Sequence, residues 1–310
     1  LLKIERILKG NLIIIVGPTA VGKTDFCVQL AKKLNAEVIS CDSRQLYKEM
    51  QIGTAKPTSE EMDGVVHHFI DSHSIQQLYS AGDYEREVEA LLQNYFKTKA
   101  VAIMSGGTGL FVRAVTDGLD EMPAAPVALR EQLMSRLDNE GLAVLQQELK
   151  SLDPLGFEKM DIQNPQRVVR ALEVCISTGK PFSFFKQGDK KEHPYRIIKI
   201  GLERPREELY ARINRRVDLM LEAGLVEEVK SLAAFEEHNA LQTVGYKEVF
   251  GFLKNEYSYD QMVELLKRNT RRYAKRQMTW FKNQDRFEWF NAEDLEGVEN
   301  YIKKSLSQTS

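Results

Sequence analysis

The stretch GPTAVGKT, Gly17 to Thr24, follows the apolar run Leu12 to Val16 and precedes a segment with helical periodicity. It fits the pattern G-x-x-x-x-G-K-[ST], in which backbone N–H groups wrap a phosphate chain, the lysine neutralises it and the hydroxyl is offered to a divalent cation. A buried strand that turns at once into a helix around an anion leaves few architectures open. The main one is a mostly parallel sheet whose strands end at a common crevice. By residue frequency alone the pattern arises in roughly one chain of this length in a hundred. The loop does not say whose phosphates it holds, so a kinase, a hydrolase and a group transferase all remain open.

The first third supports that architecture. Strand-like runs at 12–16, 37–41 and 100–104, with a further candidate at 67–70, alternate with helical patterns at 23–34 and 81–97. Pro123 and Pro126 then punctuate the chain, and apolar residues recur at three and four positions in Leu129, Leu133, Leu137, Leu142, Leu145, Leu149, Val168, Leu172 and Ile176. Strand character returns at Arg196 to Leu202 and again, briefly, at Phe287 to Phe290. The expected fold is α/β: a P-loop parallel sheet flanked by helices, built from 1–120 and 191–310, with a mostly helical insertion at 121–190. The polar tail after Lys304 is expected to fray, and the N-terminal LLKIERIL matches no motif.

Composition narrows the class. Of 310 residues 43% are hydrophobic and 28% charged, the ordinary balance of a globular protein. The apolar runs fall far short of the roughly 20 residues of a membrane span and no secretory leader is evident, so a cytoplasmic location is expected. Cys27, Cys41 and Cys175 lack CxxC spacing, which indicates neither a disulfide framework nor a cysteine zinc site. A net charge of −2 excludes a uniformly basic coat, yet charge is segregated. From Leu265 to Arg286 stand Lys267, Arg268, Arg271, Arg272, Lys275, Arg276, Lys282 and Arg286 against Asp285 alone. On a helix Arg268, Arg272, Lys275 and Arg276 share a face, while Leu266, Tyr273, Met278 and Phe281 are available to pack elsewhere. A solvated face would mix signs, so contact with a polyanion is favoured.

Nucleotide hydrolases place an acid at the end of a second apolar strand to help hold Mg²⁺. Here that strand, AVAIM, ends in SGGTGL (Ser105 to Leu110) without a carboxylate. The polar residue at a strand end is instead Asp42, which reads equally as an N-cap for Ser43 to Tyr47 or as a catalytic group. Gly106, Gly107 and Gly109 read as a tight turn. His67 and His68 are adjacent and cannot share a strand face, so they are expected to be structural. Trp280, Phe281, Phe287, Trp289 and Phe290 are expected in the core. Arg167 and Arg170, a turn apart in NPQRVVR, are by themselves commonplace.

Taken together, GPTAVGKT, DSRQLYKEMQIGTAKP, HHFID, SGGTGLFVRA, NPQRVVRALEV, LQTVGYKE and RRYAKRQMTWFKN resemble the bacterial tRNA dimethylallyltransferases, also called tRNA isopentenyltransferases, from about Leu12 to Phe290. The resemblance implies transfer of a dimethylallyl group from dimethylallyl diphosphate to N6 of adenine 37 in tRNAs reading codons that begin with U, with Mg²⁺ as cofactor. It implies that Gly17, Pro18, Thr19, Ala20, Val21, Gly22, Lys23 and Thr24 hold the diphosphate, Thr24 also serving the metal. Asp42, Lys23 and Thr19 would be catalytic. Contact with the tRNA anticodon stem-loop would fall to Asp42, Ser43, Arg44, Gln45, Thr108 and Arg130, then to Gln166, Arg167, Val168, Val169 and Arg170. Gln242, Thr243, Val244, Gly245, Tyr246 and Lys247 would join them, as would Lys275, Arg276, Gln277, Met278, Thr279, Trp280, Phe281 and Lys282. No membrane partner is expected, and the chain is expected to be a monomer. Two competitors stand beside this reading: an ATP- or GTP-using P-loop kinase or hydrolase, and a non-catalytic RNA-binding module.

Overall fold

Why β1 forms where it does is plain from its burial. Strand β1 (Asn11–Val16) has no exposed surface from Leu12 onward, and each such side chain contributes about 1.5–3 kcal/mol relative to leaving it in water. The computed structural model describes residues 10–186, 188, 191–284 and 286–307. The LLKIERIL stretch, Asp285 and the last three residues of the tail lie outside the described residues.

The remaining strands are β2 (Val38–Ser40), β3 (His67–His68), β4 (Val101–Gly106), β5 (Arg196–Glu203) and β6 (Glu288–Asn291). The helices are α1 (Lys23–Leu34), α2 (Ser59–Met62), α3 (Ala81–Tyr95), α4 (Gly109–Asp117), α5 (Val127–Glu140), α6 (Leu142–Leu152) and α7 (Pro154–Lys159). After them come α8 (Pro165–Thr178), α9 (Arg206–Glu222), α10 (Leu225–Ser231), α11 (Tyr246–Leu253), α12 (Tyr259–Gln284) and α13 (Leu295–Ser307). The strands form one sheet in the order β3-β2-β4-β1-β5-β6, and every pairing is parallel. The expected α/β fold is therefore present, with β5 and β6 completing a sheet begun by the first third of the chain. β3 is shorter than the expected 67–70 because Phe69 takes a positive φ of 63°, which ends the extended run. The tail holds its helix as far as Ser307, where fraying was expected from Lys304, because Val298 and Ile302 are buried and anchor α13.

The chain divides into two compact units, Leu1–Thr116 with Glu192–Ser310 and Asp117–Lys191. In the first, the sheet is covered on both faces, as parallel sheets require. Leu12, Ile14 and Val16 pack with Tyr84 and Val88 of α3, Phe111 of α4 and Phe281 of α12. Ile13 and Ile15 pack on the other side with Phe26 and Leu30 of α1, Ile213 of α9 and Val298 of α13. The second unit is built from α5 to α8 around Leu133, Leu145, Leu149, Val168, Val169 and Leu172. Among the described residues no helix is long and apolar enough to cross a membrane.

Candidate active site

The C-terminal ends of β1, β2 and β4 are neighbours in the sheet, so the loops after them meet. The loop after β1 enters α1 through Gly22, whose φ of 108° lies in the left-handed region, where a side chain is disfavoured. Ala20 also has a positive φ, 64°. The strain of that turn is held from outside. Arg212 Nε of α9 donates to the Ala20 carbonyl at 2.8 Å, and Arg204 Nε donates to the Val21 carbonyl at 2.7 Å. Inside the loop, Lys23 Nζ donates to the carbonyls of Gly17 and Pro18, each at 2.9 Å. Burial pushes the Lys23 ammonium down to about 8, the Asp42 carboxylate opposing that shift and Arg216 adding to it.

The segment after β2 forms turns rather than the helix 43–47 that an N-cap would have started. Asp42 still caps it: Oδ1 accepts the N–H of Arg44 at 2.9 Å and of Gln45 at 3.4 Å, and Asp42 also lines a cavity. The turn is fastened to the loop after β4, since Thr108 Oγ1 accepts the Ser43 N–H at 2.9 Å. Gln45 Nε2 reaches the carbonyls of Thr54 and Ala55 at 3.3 and 3.2 Å, which draws in the segment 51–55.

Sequence reasoning missed the contribution of α9. Arg216 donates from Nη1 to Thr19 Oγ1 at 3.4 Å and from Nη2 to the Ala55 carbonyl at 3.2 Å. Burial holds its guanidinium below its usual range, the carboxylates of Glu61 and Asp42 opposing. The available signal was the spacing of Arg212 and Arg216, four apart beside the buried Leu209, Ile213 and Val217. Glu228 of α10 was also missed. Its carboxylate accepts the N–H groups of Gln51, Ile52 and Gly53 at 3.0, 2.7 and 3.0 Å and the Tyr246 hydroxyl at 2.6 Å.

Four expected tRNA-contacting side chains are corrected by burial. Val168 and Val169 lie in the core of the helical unit, and Tyr246 and Phe281 lie in the core beside the sheet, all at 0% exposure. They support the surface rather than form it. Gln277, 6% exposed, is likewise occupied: Oε1 accepts the Thr19 N–H at 2.9 Å and Nε2 donates to the Gly107 carbonyl at 3.0 Å. A Cβ at Gly107 would collide with that amide. Arg268, Arg272, Lys275, Arg276, Thr279 and Lys282 are exposed on α12, as are Gln242 and Lys247 before and on α11. Arg130, Gln166, Arg167 and Arg170 lie in the second unit, with Arg130 bonded to Gln166. Met278 and Trp280 are half-buried, Trp280 lying against Gly109. Tyr273, expected only to pack, lines the cavity. His68 pairs with Glu37 at 2.7 Å, a structural role, whereas His67 reaches the cavity wall and burial holds its imidazole below the usual range. Cys27 and Cys41 are buried, and burial raises both thiols, Cys27 to about 12.

The first unit holds a cavity of about 780 Å³, lined among others by Thr19, Lys23, Thr24, Asp42, Arg216 and Tyr273. It is cationic where the loop closes and carries a carboxylate at the end of β2. The sequence model of the family described as IPP transferase matches residues 45–284. The chain is 50% identical over 296 residues to the tRNA dimethylallyltransferase of Cytophaga hutchinsonii, covering 96% of this chain and 97% of that one. The chain belongs to the tRNA dimethylallyltransferase family. Its relatives include tRNA dimethylallyltransferase 1 of Bacteroides fragilis, 44% identical over 96% of this chain and 98% of that one. The family's solved structures share the fold. That of the full-length tRNA isopentenylpyrophosphate transferase from Bacillus halodurans matches with a TM-score of 0.71 at 38% identity, over 96% of this chain and 97% of that one. A eukaryotic dimethylallyltransferase captured acting on tRNA matches with a TM-score of 0.76 at 27% identity, over 96% of this chain and 77% of that one.

Proposed function

We propose that this tRNA dimethylallyltransferase moves the dimethylallyl group of dimethylallyl diphosphate onto N6 of adenine 37 in tRNAs that read codons beginning with U. The observation that carries this reading is the single cavity that gathers Lys23, Thr24, Arg216 and Asp42. Adenine N6 is a poor nucleophile because its lone pair is delocalised into the ring. Attack on the allylic C1 therefore needs a stabilised leaving group and a proton acceptor.

Lys23, Arg216 and the N–H groups of the loop from Gly17 to Thr24 would bind the diphosphate and stabilise the charge that develops as the C1–O bond breaks. Thr19, fixed by Gln277 and Arg216, would orient that group. The N6–C1 bond forms, the diphosphate leaves with the electron pair of the broken bond, and the N6 proton passes to Asp42. Oδ1 of Asp42 is committed to the turn, so the other oxygen is the acceptor. The adenine must leave the anticodon stack to reach this acceptor, and the exposed basic face of α12 suits the RNA backbone around it.

The donor set also fits Mg²⁺. Among the described residues no group of three or more His, Cys, Asp or Glu could form a metal cage, and Mg²⁺ characteristically takes few protein ligands, with substrate phosphates and water filling its octahedron. Thr24 would supply the protein hydroxyl. The cation, when bound, neutralises charge on the departing diphosphate.

The test is incubation with Mg²⁺, labelled dimethylallyl diphosphate and unmodified tRNA carrying adenine 37. Label should enter the RNA and vanish when that adenine is replaced by guanine. Absence of label with folded protein, together with saturable ATP turnover, would replace this reading with the kinase or hydrolase one.

A further inference from the structure

In the helical unit, one buried carboxylate holds two arginines. Glu173 of α8 has a side chain only 3% exposed. Arg130 of α5 donates from Nη1 to its Oε1 at 2.7 Å, and Arg170, one turn earlier on α8, donates from Nη1 to its Oε2 at 3.0 Å. Each guanidinium is tied a second time. Arg130 Nη2 donates to Gln166 Oε1 at 2.9 Å, and Arg170 Nη2 donates to the Pro123 carbonyl at 3.1 Å. The arginine side chains nonetheless remain 44% and 36% exposed.

A buried ion pair is a weak stabilising device, because desolvation offsets most of its attraction. This cluster does something else. It fixes two long, flexible cations in one orientation, with their outer edges in water and one positive charge in excess. An arginine so held gives up less conformational freedom when it captures a phosphate. Gln166 sits in the first turn of α8, where the helix dipole adds positive potential.

We propose that Glu173 is a positioning residue that presets Arg130 and Arg170 as one phosphodiester-binding fork for the tRNA backbone, an inference that rests on the reading that these arginines meet tRNA. The competing role for Glu173 is simple neutralisation, and charge separates the two by sign. Glu173→Gln makes the protein one unit more positive. Neutralisation predicts that the variant binds RNA as tightly as the parent or more tightly; positioning predicts weaker binding.

The experiment is a titration of the full chain with unmodified tRNA over a series of salt concentrations. Glu173→Gln should weaken binding by about fivefold or more at physiological salt and reduce the salt slope by up to about 1.8, two contacts at about 0.9 each. Glu173→Asp, which keeps the charge but cannot span both arginines, should weaken binding in the same direction, and it carries the test should the Gln variant fail to fold. In turnover, KM for tRNA should rise while KM for dimethylallyl diphosphate stays unchanged. Parental or tighter binding with the parental slope would overturn the proposal. The double variant Arg130→Gln, Arg170→Gln separates the two layers. If it binds like the parent, the reading that these arginines meet tRNA fails; if it alone loses affinity, the contact stands and positioning is overturned.

Discussion

The side-chain oxygen of Gln277 accepts the backbone N–H of Thr19 at 2.9 Å across 258 residues of sequence. The other end of the same amide binds the Gly107 carbonyl, so one buried side chain fixes the spacing between the loops after β1 and β4. Gln277→Ala would leave both backbone groups unpaired, at a cost of about 1–3 kcal/mol in stability. Loosening the phosphate loop should also lower kcat/KM for dimethylallyl diphosphate by about tenfold or more. Thermal unfolding and steady-state kinetics measure the two effects; a variant that loses stability but keeps full kcat/KM would confine Gln277 to a structural role.

Asp42 allows chemistry and capping to be separated by substitution. Asn at this position retains an oxygen for the N–H groups of Arg44 and Gln45, whereas Ala does not. Both should lose turnover by about 10² to 10⁴, the usual range for a general base, with tRNA affinity nearly intact. Only Ala should also lose about 1 kcal/mol of stability, the worth of a cap. Single-turnover rates that survive in the Asn variant would remove Asp42 from the proton transfer.

Lys23 sets a pH dependence whose sign differs between binding and stability. In the proposed reaction the charged ammonium binds diphosphate, so affinity should be full below about pH 8 and fall as pH rises through that value. Folding works the other way. Between about 8 and the ordinary 10.5, the unfolded chain holds a proton that the folded one has lost, so the unliganded fold gains stability as pH rises. Calorimetric titration with dimethylallyl diphosphate in buffers of different ionisation enthalpy should reveal proton uptake near pH 8, absent in Lys23→Met. No uptake would mean that the lysine is already fully charged.

Glu228 reaches the site through the segment it gathers. Its carboxylate holds the N–H groups of Gln51 to Gly53, and two residues on the Ala55 carbonyl receives Arg216. Glu228→Gln replaces an acceptor oxygen with a donor facing donors. KM for dimethylallyl diphosphate should rise about tenfold, with a smaller change in kcat. Tyr246→Phe, which removes one of the four bonds to that carboxylate, should have a weaker effect of the same kind. An unaltered KM in Glu228→Gln would uncouple α10 from diphosphate binding.

The elements that sequence made legible are those whose environment is local or periodic. Leu12 to Val16 can only be a strand buried on both faces, and the loop that follows announces an anion by its glycines and lysine. Arg216 was hidden because a charged residue on a helix looks solvated until tertiary packing turns its face toward another loop. The motif NPQRVVR shows the reverse error. A run of neighbouring residues on a helix points to several sides, so Arg170 reaches the surface while Val168 and Val169 enter the core. Taking the whole run as an RNA-contacting stretch carried both faces across together.

The sheet order has a consequence for the nascent chain. β1 and its loop are made well before the groups that hold the loop: Arg216 lies 197 residues after Thr19, and Gln277 lies 258 after it. A ribosome that stalls or terminates before Gln277 therefore releases a protein with an intact phosphate-binding signature and no rigid means of using it. Translation itself delays the catalyst until α12 has been made.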